Sequence, residues 1–214
     1  MADKLTFYTN PMSRGRIIRW MLEEVGQPYE TVILGYGTSM KGPDYLAINP
    51  MGKVPAIKHG NAVVTEGAAI CAYLADVFPQ ANLAPANNEE RARYYRWMFF
   101  AAGPIEAAAN AKAMGWEAPV DKQGMLGFGS MAHVLDALEH ALKDTQYIAG
   151  DRFTAADVYF GSHIMWGVQF GTLEKRAAFD PYMARLANRP AAVRAREIDD
   201  AIIAEQQKQQ QQQA

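Results

Sequence analysis

Hydrophobic and polar positions follow different patterns in the two halves of the chain. In the first half, short apolar runs rich in β-branched and aromatic side chains occupy residues 5–8, 31–34, 54–58 and 62–65. Residues 17–25 and 66–78 carry apolar side chains at helical spacing instead. Because strands alternate with period two and helices repeat every 3.6 residues, this order predicts a strand, a helix, a second strand, a β-hairpin and a further helix.

The second half of the chain carries only the helical pattern. Apolar side chains recur at helical spacing over residues 89–110, 130–142, 154–168, 180–186 and 191–204. The segment Thr154-Ala155-Ala156-Asp157 resembles a capping box, with Asp where Glu or Gln is usual, and predicts the start of one of these helices. We therefore predict a second, all-helical domain.

Proline and polar residues separate the two regions. Pro79, Pro85 and the polar run after Pro85 interrupt both patterns, as a linker does. We predict an N-terminal α/β domain over residues 1–79, a linker over 80–88 and a helical domain over 89–205. Residues 206–214 are nearly all glutamine and offer no apolar face, so we predict that this tail is disordered.

Composition narrows the classes of function. The 214 residues carry 21 Lys and Arg against 23 Asp and Glu, which leaves no overall field to attract a nucleic acid. The single cysteine, Cys71, cannot form an internal disulfide or a thiolate metal cluster. No leader-like segment opens the sequence, and no run approaches the roughly 18 apolar residues of a membrane span. We expect a complete cytoplasmic protein that binds neither nucleic acid nor membrane.

Histidines and Cys71 offer little further chemistry. His133 and His140 lie two helical turns apart, but no cluster of Asp, Glu or Cys accompanies them, so we expect no metal site. Cys71 has apolar neighbours at helical spacing, which is typical of an inert core residue.

The most informative motif is Asn-Pro-Met-Gly-Lys-Val-Pro-Ala-Ile at residues 49–57. Pro55 at a strand entrance removes one ladder hydrogen bond, so we expect this strand at a sheet edge. A cis bond before Pro55 would leave backbone groups of Val54 free for a ligand, and Gly52 and Lys53 add a flexible approach and a cation. Taken alone, the segment equally suits a plain loop.

The motif does not stand alone. The order of strands and helices, Glu66-Gly67 at the next helix start, the proline-rich linker and the Phe-Thr-Ala-Ala-Asp-Val cap accompany it. In this combination the chain resembles cytosolic, bacterial-like glutathione S-transferases over nearly its whole length. The resemblance implies the glutathione transferase fold, in which a thioredoxin-like N-terminal α/β domain precedes an all-helical domain.

The resemblance also implies how glutathione binds. The backbone of Val54 would pair with the cysteinyl part across a cis bond to Pro55, and Lys53 would lie near the glycyl carboxylate. The other glutathione-binding residues that it implies are Lys41, Arg16, Glu66 and Gly67. Gly67 stands where the family commonly has a serine, so we expect binding weaker by about 1 kcal/mol, the contribution of one hydrogen bond.

The reaction of this family needs a thiolate, which requires a group that stabilises the anion. The family places this group in the turn after the first strand or at the start of the first helix. Ser13 is the leading catalytic candidate, because a hydroxyl at a helix N-terminus can donate to sulfur, although it equally suits a plain N-cap. Asn10 and Tyr8 are the alternatives. The turn has no cysteine, which disfavours dithiol exchange chemistry.

By the same resemblance, the first helices of the second domain line the electrophile pocket. The candidates there are Trp97, Phe100, Met114 and Trp116, against the interpretation that these side chains form core. We predict a homodimeric transferase that uses glutathione as co-substrate, without another cofactor, for conjugation to small hydrophobic electrophiles or for peroxide reduction. The alternatives are a non-catalytic module for ligand binding or dimerisation, and a glutathione-dependent isomerase.

Overall fold

Four short strands form one mixed sheet in the computed structural model of the chain, which describes residues 3–213. The strands are β1 (Leu5–Thr9), β2 (Glu30–Ile33), β3 (Ala56–His59) and β4 (Ala62–Thr65). Their order is β2-β1-β3-β4, with β2 parallel to β1 and with β3 antiparallel to both β1 and β4. Gly60, with a φ of 58°, makes the hairpin turn between the last two strands.

The position of β3 corrects one prediction. We expected Pro55 to place this strand at a sheet edge, but β3 lies between β1 and β4. Pro55 stands one residue before Ala56, the first paired residue of the strand. The missing N–H therefore removes no hydrogen bond from the ladder, and an internal position is allowed.

Helices α1 (Gly15–Val25), α2 (Pro43–Leu46) and α3 (Gly67–Val77) accompany the sheet. Helix α1 buries an apolar stripe that includes Ile17, Ile18 and Met21, as its spacing predicts, and it ends where Gly26 adopts the left-handed conformation. Cys71 is fully buried in α3, and burial raises the pKa of its thiol far above the usual range, which agrees with an inert core residue.

The chain divides into two compact units, and the division is not sequential. Unit 1 takes the chain up to Ala81 together with Asn188 onward, and unit 2 is Asn82–Ala187. The first boundary falls in the predicted linker. The last helix, α9 (Pro190–Gln213), belongs to unit 1, although we assigned residues 89–205 to the helical domain.

Helix α9 belongs to unit 1 through its packing on α1, and ion pairs join the two helices. It packs along α1, and the arginines of each helix meet acidic residues of the other. From one end to the other the pairs are Arg16–Asp200, Arg19–Asp199, Glu23–Arg194 and Glu24–Arg189, with Arg189 directly before the first residue of α9. The residue numbers of the paired side chains rise along α1 while they fall along α9, so the two helices run antiparallel. Charges of opposite sign at the two ends of α1 specify this direction and register.

Arg19 is the buried member of this set. Its guanidinium donates to Asp199 at 3.2 Å and to the Thr31 hydroxyl at 2.8 Å, and it lies 5.0 Å from the centre of the Phe7 ring. A buried cation needs such partners, because leaving it unpaired in an apolar interior costs several kcal/mol.

The predicted disorder of the glutamine tail is wrong for residues 206–213, which continue α9. Glutamine is a good helix former, and extending a helix that packing has already nucleated costs far less than starting one. The side chains from 207 to 212 are exposed, so packing does not hold this end. Residue 214 lies outside the described residues.

Unit 2 is helical. Its helices are α4 (Asn88–Phe100), α5 (Glu106–Ala113), α6 (Met131–Leu142), α7 (Ala155–Gln169) and α8 (Asp180–Ala187). The side chains of Asn87 and Ser130 accept backbone hydrogen bonds at the starts of α4 and α6. One π-helical turn, Ala101–Ile105, joins α4 to α5 and contains Pro104. The single helix that we predicted over 89–110 is therefore interrupted where proline removes a helical hydrogen bond.

The predicted capping box is present at the start of α7 and has additional partners. The Asp157 carboxylate accepts hydrogen bonds from the backbone of Thr154 at 2.9 Å and of Ile148 at 2.7 Å. The Thr154 and Tyr182 hydroxyls donate to it as well, at 3.2 and 2.9 Å. Burial raises the pKa of Asp157 to about 6, although every one of these donors favours the ionised form. Over residues 3–213, no helix combines the length and apolar character that crossing a membrane requires.

Candidate functional site

The loop before β3 carries the cis bond that the motif predicts. The bond between Val54 and Pro55 is cis, and Pro55 is buried directly before β3. Val54 is half-buried and lies outside the strand ladder. Its backbone N–H and C=O make no hydrogen bond within the described part of the chain. This loop therefore presents one free donor and one free acceptor beside the sheet, as an extended peptide ligand requires.

Hydrogen bonds from two side chains hold this loop. The carbonyl oxygen of Lys53 accepts from the hydroxyl of Tyr45 at 2.6 Å and from the side-chain amide of Asn49 at 2.8 Å. The Asn49 side chain also accepts from the backbone of Met51. We had assigned no role to Tyr45 or to the Asn49 side chain. The only sequence signal was that Asn49 opens the motif.

The two lysines of the predicted site differ in what they contact. Lys41 donates to the carbonyl oxygens of Gly52 at 2.7 Å and Met51 at 3.1 Å, so it ties down the loop. Gly52 has a φ of 55°, and a Cβ there would lie 2.9 Å from the Lys41 ammonium, which is why glycine suits this position. Lys53 is exposed at the tip and makes no ion pair with any residue from 3 to 213. Lys53 is thus the lysine whose charge is available to a ligand.

The start of α3 is open and strained. Glu66 is exposed with a φ of 65°, which is uncommon for a residue with a Cβ. No side chain caps this helix, and its first backbone bond runs from Ile70 to Glu66. The N–H groups at Gly67 and Ala68 therefore point out of the helix end without an intrahelical acceptor. Such an end attracts a carboxylate, and strain of this kind concentrates at ligand sites.

The turn after β1 uses its polar side chains internally. Asn10 is buried, donates to the Leu34 carbonyl at 2.8 Å and accepts from the backbone of Met12 at 3.0 Å. The Ser13 hydroxyl donates to the Asn10 carbonyl at 2.7 Å and accepts from the backbone of Gly15 at 2.9 Å. A hydroxyl has one proton, and that of Ser13 is already donated within the turn. In this geometry both side chains shape the turn.

Tyr8 differs from both. In β1, Leu5, Phe7 and Thr9 are buried while Tyr8 points to the other side of the sheet, as strand alternation requires. Its ring packs against Tyr45, with 5.7 Å between ring centres, in the apolar cluster that Val54 also contacts. Its hydroxyl makes no hydrogen bond to another described residue. Tyr8 therefore offers an uncommitted donor close to the cis-proline loop.

Arg16 points toward α9. Its guanidinium donates to the Pro11 carbonyl at 3.4 Å and pairs with Asp200. Arg16 thus connects the turn after β1 to the last helix, and glutathione would have to compete with Asp200 for its charge. Among residues 3–213, no group of three or more His, Cys, Asp or Glu side chains could hold a metal ion.

The four predicted electrophile-site residues lie in unit 2 and differ in burial. Trp97 is core, because it is 6% exposed and its ring contacts Phe100 and Phe160. Phe100 lines an apolar cavity of about 280 Å³. Its other lining residues, which we did not predict, include Pro104, Phe128, His133 and Val134. Met114 and Trp116 follow α5 and are largely exposed. The structure therefore brings Trp97 and Phe100 into contact with each other and leaves Met114 and Trp116 exposed.

Comparison with known proteins gives a consistent result over both units. Residues 12–77 match the family described as glutathione S-transferase, N-terminal domain, and residues 119–190 match glutathione S-transferase, C-terminal domain. The glutathione S-transferase GstA of Escherichia coli O157:H7 is 34% identical over 170 residues, which cover 77% of this chain and 79% of that protein.

Solved structures give the same similarity. A theta class glutathione S-transferase from Xanthomonas axonopodis pv. citri, solved with glutathione bound, is 27% identical and has a TM-score of 0.71 over 90% of this chain and 97% of its own. A glutathione transferase from Methylococcus capsulatus is also 27% identical, with a TM-score of 0.74 over 92% of this chain and 99% of its own.

Proposed function

The chain belongs to the glutathione S-transferase family, and on that basis we propose that it binds glutathione on unit 1 and joins it through its sulfur to small apolar electrophiles. The observation that carries this proposal is the cis Val54–Pro55 loop with free backbone groups, beside the uncommitted hydroxyl of Tyr8. A relative that was solved with glutathione bound supports it.

Three elements of unit 1 account for the binding of glutathione. The Val54 backbone pairs with the cysteinyl backbone, and the exposed Lys53 ammonium attracts the glycyl carboxylate. The γ-glutamyl carboxylate lies on the open N–H groups of α3, where the helix dipole favours an anion. The Glu66 carboxylate then pairs with the γ-glutamyl ammonium. Lys41 acts through the loop carbonyls that it holds, and Arg16 acts through the turn.

We assign the activation of the thiol to Tyr8. A thiolate is the nucleophile, and an ordinary cysteine thiol with a pKa of about 8.5 is mostly protonated at neutral pH. A hydroxyl that donates to the sulfur stabilises the charged form more than the neutral one, so it lowers the thiol pKa. The proton leaves to solvent, the sulfur forms a bond to the electrophilic carbon, and the leaving group departs with the electron pair of the broken bond.

Ser13 and Asn10 have a supporting role in this proposal. Their side-chain hydrogen bonds set the turn that follows β1, and the N-terminus of α1 adds positive potential near the sulfur. This proposal puts Tyr8 in the place that the sequence analysis gives to Ser13, because the Ser13 proton is already used.

Our first prediction compares Tyr8→Phe with Ser13→Ala. Tyr8→Phe should raise the thiol pKa of bound glutathione and lower kcat/KM by about 10–100-fold, with little change in affinity. Thiolate ultraviolet absorbance against pH gives the pKa, isothermal titration calorimetry gives the affinity, and a panel of aryl halides and hydroperoxides gives kcat/KM.

Ser13→Ala should lower stability and leave the thiol pKa near that of the wild type. A raised pKa in Ser13→Ala alone would return the role of donor to Ser13. A wild-type protein that binds glutathione without forming the thiolate or turning over any substrate would contradict the transferase proposal in favour of a binding module.

We also propose that the protein is a cytosolic homodimer. Each unit exposes apolar side chains on a regular element: Val63 on β4 in unit 1, and Tyr95 and Phe99 on α4 in unit 2. In this family the N-terminal domain of one subunit packs on the helical domain of the other, and exposed apolar patches mark such surfaces. Light scattering coupled to size exclusion measures the mass, and a monomer of 23.7 kDa at micromolar concentration would contradict the dimer.

A further inference from the structure

Tyr45 contacts both parts of the proposed site in unit 1. It lies in the short helix α2 and is buried, so its side chain has one well-defined position. Its hydroxyl donates to the Lys53 carbonyl at 2.6 Å, and its ring packs on the Tyr8 ring. One side chain therefore connects the cis-proline loop to the uncommitted hydroxyl.

The bond to Lys53 fixes a group that Tyr45 does not touch. The peptide between Lys53 and Val54 is trans, so its C=O and N–H point in opposite directions from one rigid plane. Two donors, Tyr45 and Asn49, occupy the carbonyl oxygen. Holding that oxygen in place therefore aims the Val54 N–H out of the loop on the opposite side, where it has no partner within residues 3–213.

The Tyr45 hydroxyl can donate to the Lys53 carbonyl at every pH well below its own pKa. Burial raises the pKa of Tyr45 to about 12, so the hydroxyl keeps its proton and remains a donor. Asn49 supplies the second bond to the same oxygen from a neutral amide, which does not titrate. The orientation of the Lys53–Val54 peptide is thus insensitive to pH.

We propose that Tyr45 is a positioning residue for the reaction: its hydroxyl orients the Val54 N–H that receives the cysteinyl backbone, and its ring holds Tyr8 at the thiol. This inference rests on the proposed function. It assigns two separable effects to one side chain, because the hydroxyl acts on the binding of the peptide and the ring acts on the ionisation of the sulfur.

The test separates the two effects with two variants of the full-length protein. Tyr45→Phe keeps the ring and removes the hydrogen bond, so the dissociation constant for glutathione should rise about 5–10-fold, with the thiol pKa unchanged. Tyr45→Leu removes the ring as well, so it should raise both the dissociation constant and the thiol pKa and should lower kcat. Calorimetry and thiolate absorbance give these quantities, and near-ultraviolet circular dichroism checks that each variant is folded.

Tyr29→Phe is the matched control. Tyr29 also lies in unit 1, its pKa is also raised to about 12, and its hydroxyl also makes a short bond, 2.7 Å to Glu23. It contacts neither the cis-proline loop nor Tyr8 in the ring contacts and hydrogen bonds of the described residues. Tyr29→Phe should therefore change the melting temperature by about as much as Tyr45→Phe does. It should leave the affinity for glutathione and the thiol pKa of bound glutathione unchanged.

The outcomes distinguish this inference from the proposed function. Wild-type affinity in Tyr45→Phe, or an equal loss of affinity in Tyr29→Phe, would overturn the role of the hydroxyl while the wild type still binds glutathione. An unchanged thiol pKa in folded Tyr45→Leu would overturn the role of the ring. If Tyr45→Leu does not fold, Tyr45→Trp replaces it in the test. This variant keeps an aromatic ring but packs differently on Tyr8, so it should shift the thiol pKa. An unchanged thiol pKa in Tyr45→Trp would overturn the role of the ring. A wild type that does not bind glutathione would overturn both proposals.

Discussion

Two polar networks, one in each unit, differ in whether their donors are all used. In unit 2, the Asp157 carboxylate collects hydrogen bonds from the backbone of Thr154 and Ile148 and from the Tyr182 hydroxyl, all inside the core. In unit 1, the loop before β3 has its Lys53 carbonyl occupied twice, yet the Val54 N–H remains open. Both networks are built from short motifs, but only one leaves donors for a ligand.

The difference teaches how to distinguish a structural network from a binding site. A buried polar group must be satisfied, so a closed network stabilises the fold and offers nothing to a second molecule. Open donors are tolerated at the surface of unit 1 because water can pair with them until a ligand replaces it. Stability should therefore depend mainly on the network around Asp157, and glutathione affinity on the loop and the start of α3.

The largest expected effect is on the closed network. Asp157→Ala leaves two buried N–H groups and the Tyr182 hydroxyl without an acceptor. Each buried polar group without a partner costs about 1–3 kcal/mol, so the free energy of unfolding should fall by about 4 kcal/mol. Urea unfolding followed by circular dichroism measures this loss. Asp151→Ala, at an exposed carboxylate, is the control and should change stability by less than about 0.5 kcal/mol. Equal stabilities of the two variants would contradict a structural role for the closed network.

A smaller effect is expected from a substitution of Glu66, which should increase stability and weaken the binding of glutathione. Glu66→Gly relieves the positive φ, so the protein should become more stable by about 0.5–1 kcal/mol. It also removes the carboxylate opposite the γ-glutamyl ammonium, so glutathione should bind about 10-fold more weakly. Thermal melting and calorimetry measure the two changes.

Asn82→Gly is the control for Glu66→Gly. Asn82 has a φ of 55° and lies in unit 2, so the substitution should give a similar gain in stability and leave affinity unchanged. A loss of stability in Glu66→Gly would mean that the strain at the start of α3 is compensated by contacts of its side chain.

The smallest effect is expected from removing the glutamine tail, residues 206–214, which belongs to neither network. Ending the chain after Glu205 removes exposed glutamines. The free energy of unfolding should therefore stay within about 0.5 kcal/mol of that of the full protein, and activity should not change. Ending it after Ala187 instead removes all of α9 and exposes the Arg19 site, which should destabilise unit 1 strongly. A large loss on removing 206–214 alone would mean that the tail contributes contacts of its own.

What the sequence predicts well is local. The cis bond at Val54–Pro55 and the capping box at Thr154 each depend on residues no more than three positions apart, so the motif carries its own geometry. The order of strands and helices along the chain also follows, because the change of pattern near residue 80 is a change of period.

What the sequence missed depends on distant partners. The Arg19–Asp199 pair joins residues 180 positions apart, and nothing local marks either as buried or assigns α9 to unit 1. Our proposal prefers Tyr8 to Ser13 for a related reason, since whether a hydroxyl is available depends on its neighbours in space. The role that we propose for Tyr45 depends in the same way on its hydrogen bond to the Lys53 carbonyl, which no local pattern indicates.

The return of α9 to unit 1 sets an order of completion during synthesis. A ribosome makes all of Asn82–Ala187 before it reaches Pro190, so unit 2 is available to fold as a continuous piece while unit 1 still lacks its last helix. Until Asp199 arrives, the Arg19 guanidinium has no carboxylate to accompany it into the interior. The sheet that holds the proposed glutathione site is therefore translated before unit 2, and its unit is completed after unit 2.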